Sequence, residues 1–200
     1  RRAGGLGVAG CFSLHPLKNL GAAGDAGVIT TSDAGLARKL RLLRNHGLRD
    51  RDHCDVFADN SRLDTVQAAM LLVKLSRLHE WTEARRRHAA AYRCELADVV
   101  VVPSECRRER HVYHSFVIET DRRDELQQYL AARGIETKVY YPVPIHLQPG
   151  AAHLGYQPGD FPVAEQQAQR ILSLPVYPEL TDAQRDAVVA AVREFFAPRS

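Results

Sequence analysis

The sequence predicts a mixed α/β chain in three parts: the end of a larger α/β domain over residues 1–62, a long linking helix over 63–98, and a small α+β domain over 99–200. Three observations carry this reading. Two short extended runs stand near the start with no further strands close by to complete a sheet. The stretch from Leu63 to Asp98 contains neither glycine nor proline. From Val99 onward the order reads strand, helix, strand, helix, helix.

Taken in order, Gly10 to His15 is a short extended run that stops at Pro16, and Ala26 to Thr31 is a second strand rich in β-branched residues. Asp33 to Asn45 reads as a helix, with Leu36, Leu40 and Leu43 on one face and Gly47 as a stop signal. A polar loop covers 47–60. Ser61 to Asp64 reads as a capping box opening the long helix, on which Leu63, Val66, Met70, Val73, Leu78 and Trp81 recur at helical spacing. In the last part, His111 to Thr120 alternates as a strand, Asp124 to Arg133 is helical and ends at Gly134, and Thr137 to Tyr141 is a further strand. A proline-rich loop over 142–149 follows. Helices over 161–172 and 182–196 close the chain, the second opened by a capping box from Thr181 to Gln184.

Composition excludes several classes. Charges are nearly balanced, 27 basic against 24 acidic, and the arginine clusters at 85–87 and 107–108 read as a solvated helix face and a solvated loop. A nucleic-acid binder concentrates its basic residues on one stripe, so no nucleic-acid partner is expected. The four cysteines match no zinc-ligand spacing and read as reduced thiols. No apolar run is long enough for a membrane span. The default is a cytoplasmic protein with no membrane partner and no metal.

The chemistry concentrates between Phe12 and Gly27. Lys18 sits in a loop between two strands, flanked by Leu17 and Leu20. An apolar setting disfavours the charged ammonium and frees the amine as a nucleophile. Ser13, five residues earlier, could donate to a phosphate. Gly21, Gly24 and Gly27 permit close backbone approach. Asp25 reads as a residue that fixes this loop by local hydrogen bonds. The pattern is not a P-loop, because the lysine precedes the glycines, and the spacing is not that of a dinucleotide fingerprint. From the residues alone, a lysine in such a loop is also compatible with a plain surface position.

The segment Phe12-Ser13 through Lys18-Asn19-Leu20-Gly21-Ala22-Ala23-Gly24-Asp25-Ala26-Gly27 resembles the lysine motif of the DegT/DnrJ/StrS family of sugar aminotransferases. Four further blocks resemble that family in the same order: Asn60 to Ala69, His111 to Ile118, Gly134 to Pro149, and Ile171 to Pro178. Ala26 stands where the family usually has glycine, and Tyr140 where histidine often precedes Tyr-Pro.

The resemblance implies the C-terminal part of a fold-type I pyridoxal-phosphate (PLP) transferase, with about half the family's length absent. The absent half would carry the aspartate at the pyridinium nitrogen, the ring-stacking aromatic and most of the phosphate loop. Matched residue by residue, Lys18 is the Schiff-base lysine, Ser13 a phosphate ligand, and Asn60 a phosphate ligand reaching in from a partner subunit. A homodimer with a shared active site follows. Arg62, Tyr141 and His146 are the matching candidates for the substrate side. The implied reaction transfers an amino group, usually from glutamate, to a nucleotide-linked keto-deoxysugar in antibiotic or cell-surface sugar biosynthesis. Three other readings compete: a non-catalytic regulatory or interaction member, a dehydratase, which carries histidine where this chain has Lys18, and an interaction fragment that dimerises through the long helix.

Overall fold

A computed structural model describes residues 2–198; Arg1, Arg199 and Ser200, at the outer ends of the predicted first and last parts, lie outside the described residues. The chain divides into two compact units, Arg1–His79 and Glu80–Ser200. The division falls within a single long helix.

In the first unit, β1 (Gly10–Ser13) and β2 (Gly27–Thr30) form an antiparallel pair in the register Gly10–Thr30 to Ser13–Gly27. Helix α1 (Ala34–Leu43) follows. Asp33 caps it, its carboxylate accepting the Gly35 and Leu36 N–H groups at 2.7 and 3.0 Å. Gly47, at φ +71°, accounts for the stop signal, donating back to the Leu42 carbonyl.

Helix α2 spans Thr65–Leu96. It begins after the Ser61–Asp64 segment instead of at Ser61. The backbone explains the difference: Ser61 donates to the Arg44 carbonyl and Asn60 bridges Asn45, so these residues are tied to the end of α1 before the helix starts.

In the second unit, β3 (Phe116–Glu119) pairs antiparallel with β4 (Ile171–Leu174). Around them lie α3 (Arg123–Ala131), α4 (Pro162–Arg170) and α5 (Asp182–Phe196). The sequence reading continues a helix through 172, whereas the chain leaves α4 at Arg170 and enters β4. The strand expected over Thr137–Tyr141 reduces to one bridge, Lys138 with Ser173. Pro142 biases the residue before it and Pro144 lacks an N–H, so a ladder cannot propagate into this segment. The Thr181–Gln184 capping box forms as read, with both reciprocal bonds present.

The core of this unit buries Tyr92, Leu96, Phe116, Ile118, Leu126, Leu130, Leu172 and Val192 completely. From α2 it takes Ala89, Tyr92 and Leu96, whereas Val66, Met70 and Val73, earlier on the same helix and expected on its buried face, are exposed among the described residues. The Tyr92 ring lies 5.0 Å from Phe116, and its hydroxyl donates to the Pro175 carbonyl. Burial pushes that phenol well above its ordinary value.

Arg85, expected on a solvated face, is buried instead. Its guanidinium donates to the Val176 carbonyl at 2.5 Å and to the Tyr113 and His114 carbonyls at 3.4 Å. Arg86 grips Glu105 through two bonds, 2.7 and 3.2 Å, and Glu105 accepts the His111 N–H. These bonds strap the irregular 102–112 segment onto the helix. No helix of the described residues is long and apolar enough to cross a membrane, no group of three or more candidate metal ligands occurs among them, and the four cysteines are free.

Two outcomes follow. Phe116→Ala removes a fully buried ring and lowers unfolding stability by about 3–5 kcal/mol in urea denaturation. His88 is buried, and desolvation first, then the neighbouring Arg185 charge, hold its imidazole below its ordinary value of 6.5. The folded state therefore binds fewer protons than the unfolded chain just below pH 6.5, so stability falls as pH drops through that value. The urea midpoint should decline less from neutral to mildly acidic pH in His88→Gln than in the parent; equal declines would contradict this.

Candidate active site

The loop carrying Lys18 is built outward from the β1–β2 ladder. Beyond Ser13 the strands part, but Leu14 donates to the Ala26 carbonyl at 2.8 Å and closes the base. A second bond, Ala22 N–H to the Leu14 carbonyl, crosses the loop at 2.8 Å. His15-Pro16-Leu17-Lys18 is a β-turn, with Lys18 donating to the His15 carbonyl at 2.8 Å and Pro16 at the second position, where its fixed φ is favoured. Two side chains trim the turn: Ser13 Oγ accepts the His15 N–H and His15 Nδ1 accepts the Leu17 N–H, both at 3.3 Å. Gly21 passes so close to the turn that a Cβ there would stand 2.3 Å from the Pro16 oxygen. Lys18 leaves this frame exposed, and its amine has no ion-pair partner among the described residues.

Helix α2 backs the loop. Leu71 packs with Leu14 and Ala22, all buried. Gln67 Oε1 accepts the Ala23 N–H at 3.0 Å, and Lys74 Nζ donates to the Gly21 carbonyl at 2.6 Å. Residues 67, 71 and 74 share one helix face. Asp25, expected to fix the loop, is exposed and makes neither of these bonds. The sequence reading missed Gln67 and Lys74; their spacing around Leu71 is the signal that could have found them.

Asn60 and Arg62 form their own small unit. Asn60 Oδ1 accepts the Arg62 N–H at 3.3 Å and the Arg62 Nε–H at 3.0 Å, and both residues are exposed. No hydrogen bond joins this pair to Ser13 or Lys18 among the described residues.

Tyr141 and His146 belong to the second unit. Tyr141 is 73 % exposed. His146 is not: its side chain is 9 % exposed, lies 4.7 Å from the Phe161 ring and meets Glu165 through Nε2 at 3.0 Å. Glu165 also accepts the Gly159 and Phe161 N–H groups at 2.9 and 3.2 Å. The Gly159 bond foremost, with the His146 contact behind it, holds the Glu165 carboxyl below its ordinary value. His146 thus braces the loop over 145–161. Glu165 carried no sequence signal, because its partners are scattered along a loop without regular periodicity.

The donor set suits an aldehyde cofactor bearing a phosphate. An exposed amine without a carboxylate partner among the described residues stands on a locked turn, and a hydroxyl lies at the foot of that turn.

Comparison with known proteins places this geometry in context. The model of the DegT/DnrJ/EryC1/StrS aminotransferase family matches residues 1–193. A pleiotropic regulatory protein of Geobacillus stearothermophilus is 48% identical over 197 residues, covering 96% of this chain and 53% of that protein. A dTDP-3-amino-3,4,6-trideoxy-alpha-D-glucose transaminase of Streptomyces venezuelae is 42% identical, covering 98% of this chain and 52% of that protein. The crystal structure of S. venezuelae DesV in complex with a ketimine intermediate superposes with a TM-score of 0.96 at 41% identity, covering 100% of this chain and 54% of that one. The chain spans about half the length of the curated relatives it matches. The fold is accordingly the C-terminal portion of an aminotransferase fold, and the chain belongs to the DegT/DnrJ/EryC1/StrS aminotransferase family.

Proposed function

We propose that the protein carrying this chain is a PLP-dependent aminotransferase that moves an amino group from glutamate to the keto group of a nucleotide-linked deoxysugar. The observation that carries this is Lys18: an unpaired, exposed amine at the end of a hydrogen-bonded turn, in a chain of this family. When bound, pyridoxal phosphate supplies the aldehyde that condenses with an amine and the ring that takes up electrons.

The chain's own residues do the rest. Lys18 Nζ is the nucleophile and, once freed, the base that carries the proton from the substrate Cα. The Ser13 hydroxyl lies one strand end away on the same loop and donates to the phosphate. Asn60 serves the phosphate of a partner subunit, in a homodimer with shared sites. That role requires its amide to keep a free donor, and its Oδ1, not its NH₂, is engaged by Arg62. On the sugar-nucleotide side we assign Tyr141 to direct contact, because its ring is exposed, and Arg62 to a supporting place beside Asn60. His146 reaches substrate only if its Glu165 contact opens; as it stands it fixes the loop that presents Tyr141. Four free, exposed cysteines fit a cytoplasmic setting, where thiols stay reduced.

A second reading is a regulatory member without turnover, favoured by the name carried by the Geobacillus relative. One experiment separates the two. Added pyridoxal phosphate should give a visible absorption band that neither component shows alone. A panel of nucleotide-linked keto sugars with glutamate should then yield an aminated product. Lys18→Ala should abolish the band and lower turnover by at least about 10²–10⁴-fold, the worth of a positioned acid–base group. A folded protein with neither band nor product supports the regulatory reading and sinks the enzymatic one.

A further inference from the structure

Within the loop holding Lys18, the Gly21–Gly24 stretch has one main-chain bond of its own, from the Ala22 N–H to the Leu14 carbonyl. Gly21 and Gly24 bracket Ala22 and Ala23, and glycine backbone has the widest conformational freedom. Both ends of the alanine pair are also gripped from outside. Gln67 accepts the Ala23 N–H at 3.0 Å, and Lys74 donates to the Gly21 carbonyl at 2.6 Å. Between them Leu71 seats on buried Leu14 and Ala22. One apolar and two polar side chains on a single helix face thus hold the loop by its backbone.

An adhesive contact alone would not need this composition. Holding a long lysine side chain still costs rotamer freedom. That cost is offset here by a charge-assisted bond to one carbonyl. The bonded carbonyl belongs to Gly21, which lies so near the His15–Lys18 turn that an added Cβ would collide with the Pro16 carbonyl. A shift at Gly21 is therefore transmitted to the turn that aims Lys18. Lys74 differs from Lys18 in kind: its amine is engaged and partly buried, and that of Lys18 is exposed.

We propose that Gln67 and Lys74 are positioning residues that set the placement of the Lys18 amine for cofactor loading. This rests on the reading of Lys18 as the cofactor-bearing amine. Neither residue touches the cofactor in this account; both act through the Gly21–Gly24 backbone.

The test uses the full protein that carries this chain, with Gln67→Leu and Lys74→Met as disruptive variants and Gln67→Glu and Lys74→Arg as conservative ones. Without cofactor, hydrogen exchange of the 20–25 segment should quicken about tenfold in the disruptive variants, as expected for one lost hydrogen bond, and stay unchanged at Phe116–Glu119. On adding pyridoxal phosphate, the visible band should form about tenfold more slowly and its pH midpoint should move. The conservative variants should behave as the parent. Faster exchange with parental loading rate and midpoint would overturn the proposal, leaving a contact that serves stability alone. Unchanged exchange would overturn it as well. If a disruptive variant loses the protection at Phe116–Glu119, the milder Lys74→Gln takes its place under the same criteria. Lys18→Ala, run alongside, keeps the two ideas apart: a band that survives it defeats the Lys18 reading whatever Gln67 and Lys74 do.

Discussion

The hydrogen bond from the Ala22 N–H to the Leu14 carbonyl is the constraint on which the first unit depends. It crosses a loop whose strands have already separated, and it turns Leu14 and Ala22 together against Leu71. Without it, Leu14 and Ala22 would lose the one main-chain bond that joins them across a glycine-rich segment. With it, the chain has a closed base at Leu14–Ala26, a crossbar at Ala22 and a proline-stiffened turn ending at Lys18. Main-chain bonds and the Leu14–Ala22–Leu71 contact thus fix the base and the turn of the loop from which Lys18 projects.

The second unit solves a different problem. Its two strands are only four residues each and could not persist alone. They persist because Phe116, Ile118 and Leu172 are buried in one cluster with Tyr92, Leu96, Leu126, Leu130 and Val192. Arg85 adds a polar tie by satisfying carbonyls from segments before β3 and after β4. The same economy governs the loop over 145–161, where one carboxylate, Glu165, meets His146 and two backbone N–H groups. A charged acceptor shared among three donors orders a loop that has almost no regular structure of its own.

Much of this was readable from residues close together in sequence. The Thr181–Gln184 capping box and the stops at Gly47 and Gly134 are local events whose chemistry is spelled out within a few positions. What escaped the reading depends on distant partners. Ile171–Leu174 resembles the end of a helix until Phe116–Glu119 is beside it. Ser61 looks like a helix cap until Arg44 takes its N–H. The apolar spacing of Val66, Met70 and Val73 marks a helix face correctly but not the buried one within this chain, where Gln67, Leu71 and Lys74 face the loop. His146 illustrates the same limit at the candidate site, since its exposure is decided by Glu165.

We propose that Lys18, and no other lysine, carries the cofactor. This is tested most directly by loading the full protein with pyridoxal phosphate, reducing it with borohydride and mapping the added pyridoxyl mass by peptide sequencing. The account predicts the added mass on the peptide spanning the His15–Lys18 turn, at Lys18. Stable modification at Lys74 or another lysine, with Lys18 unmodified, would contradict it.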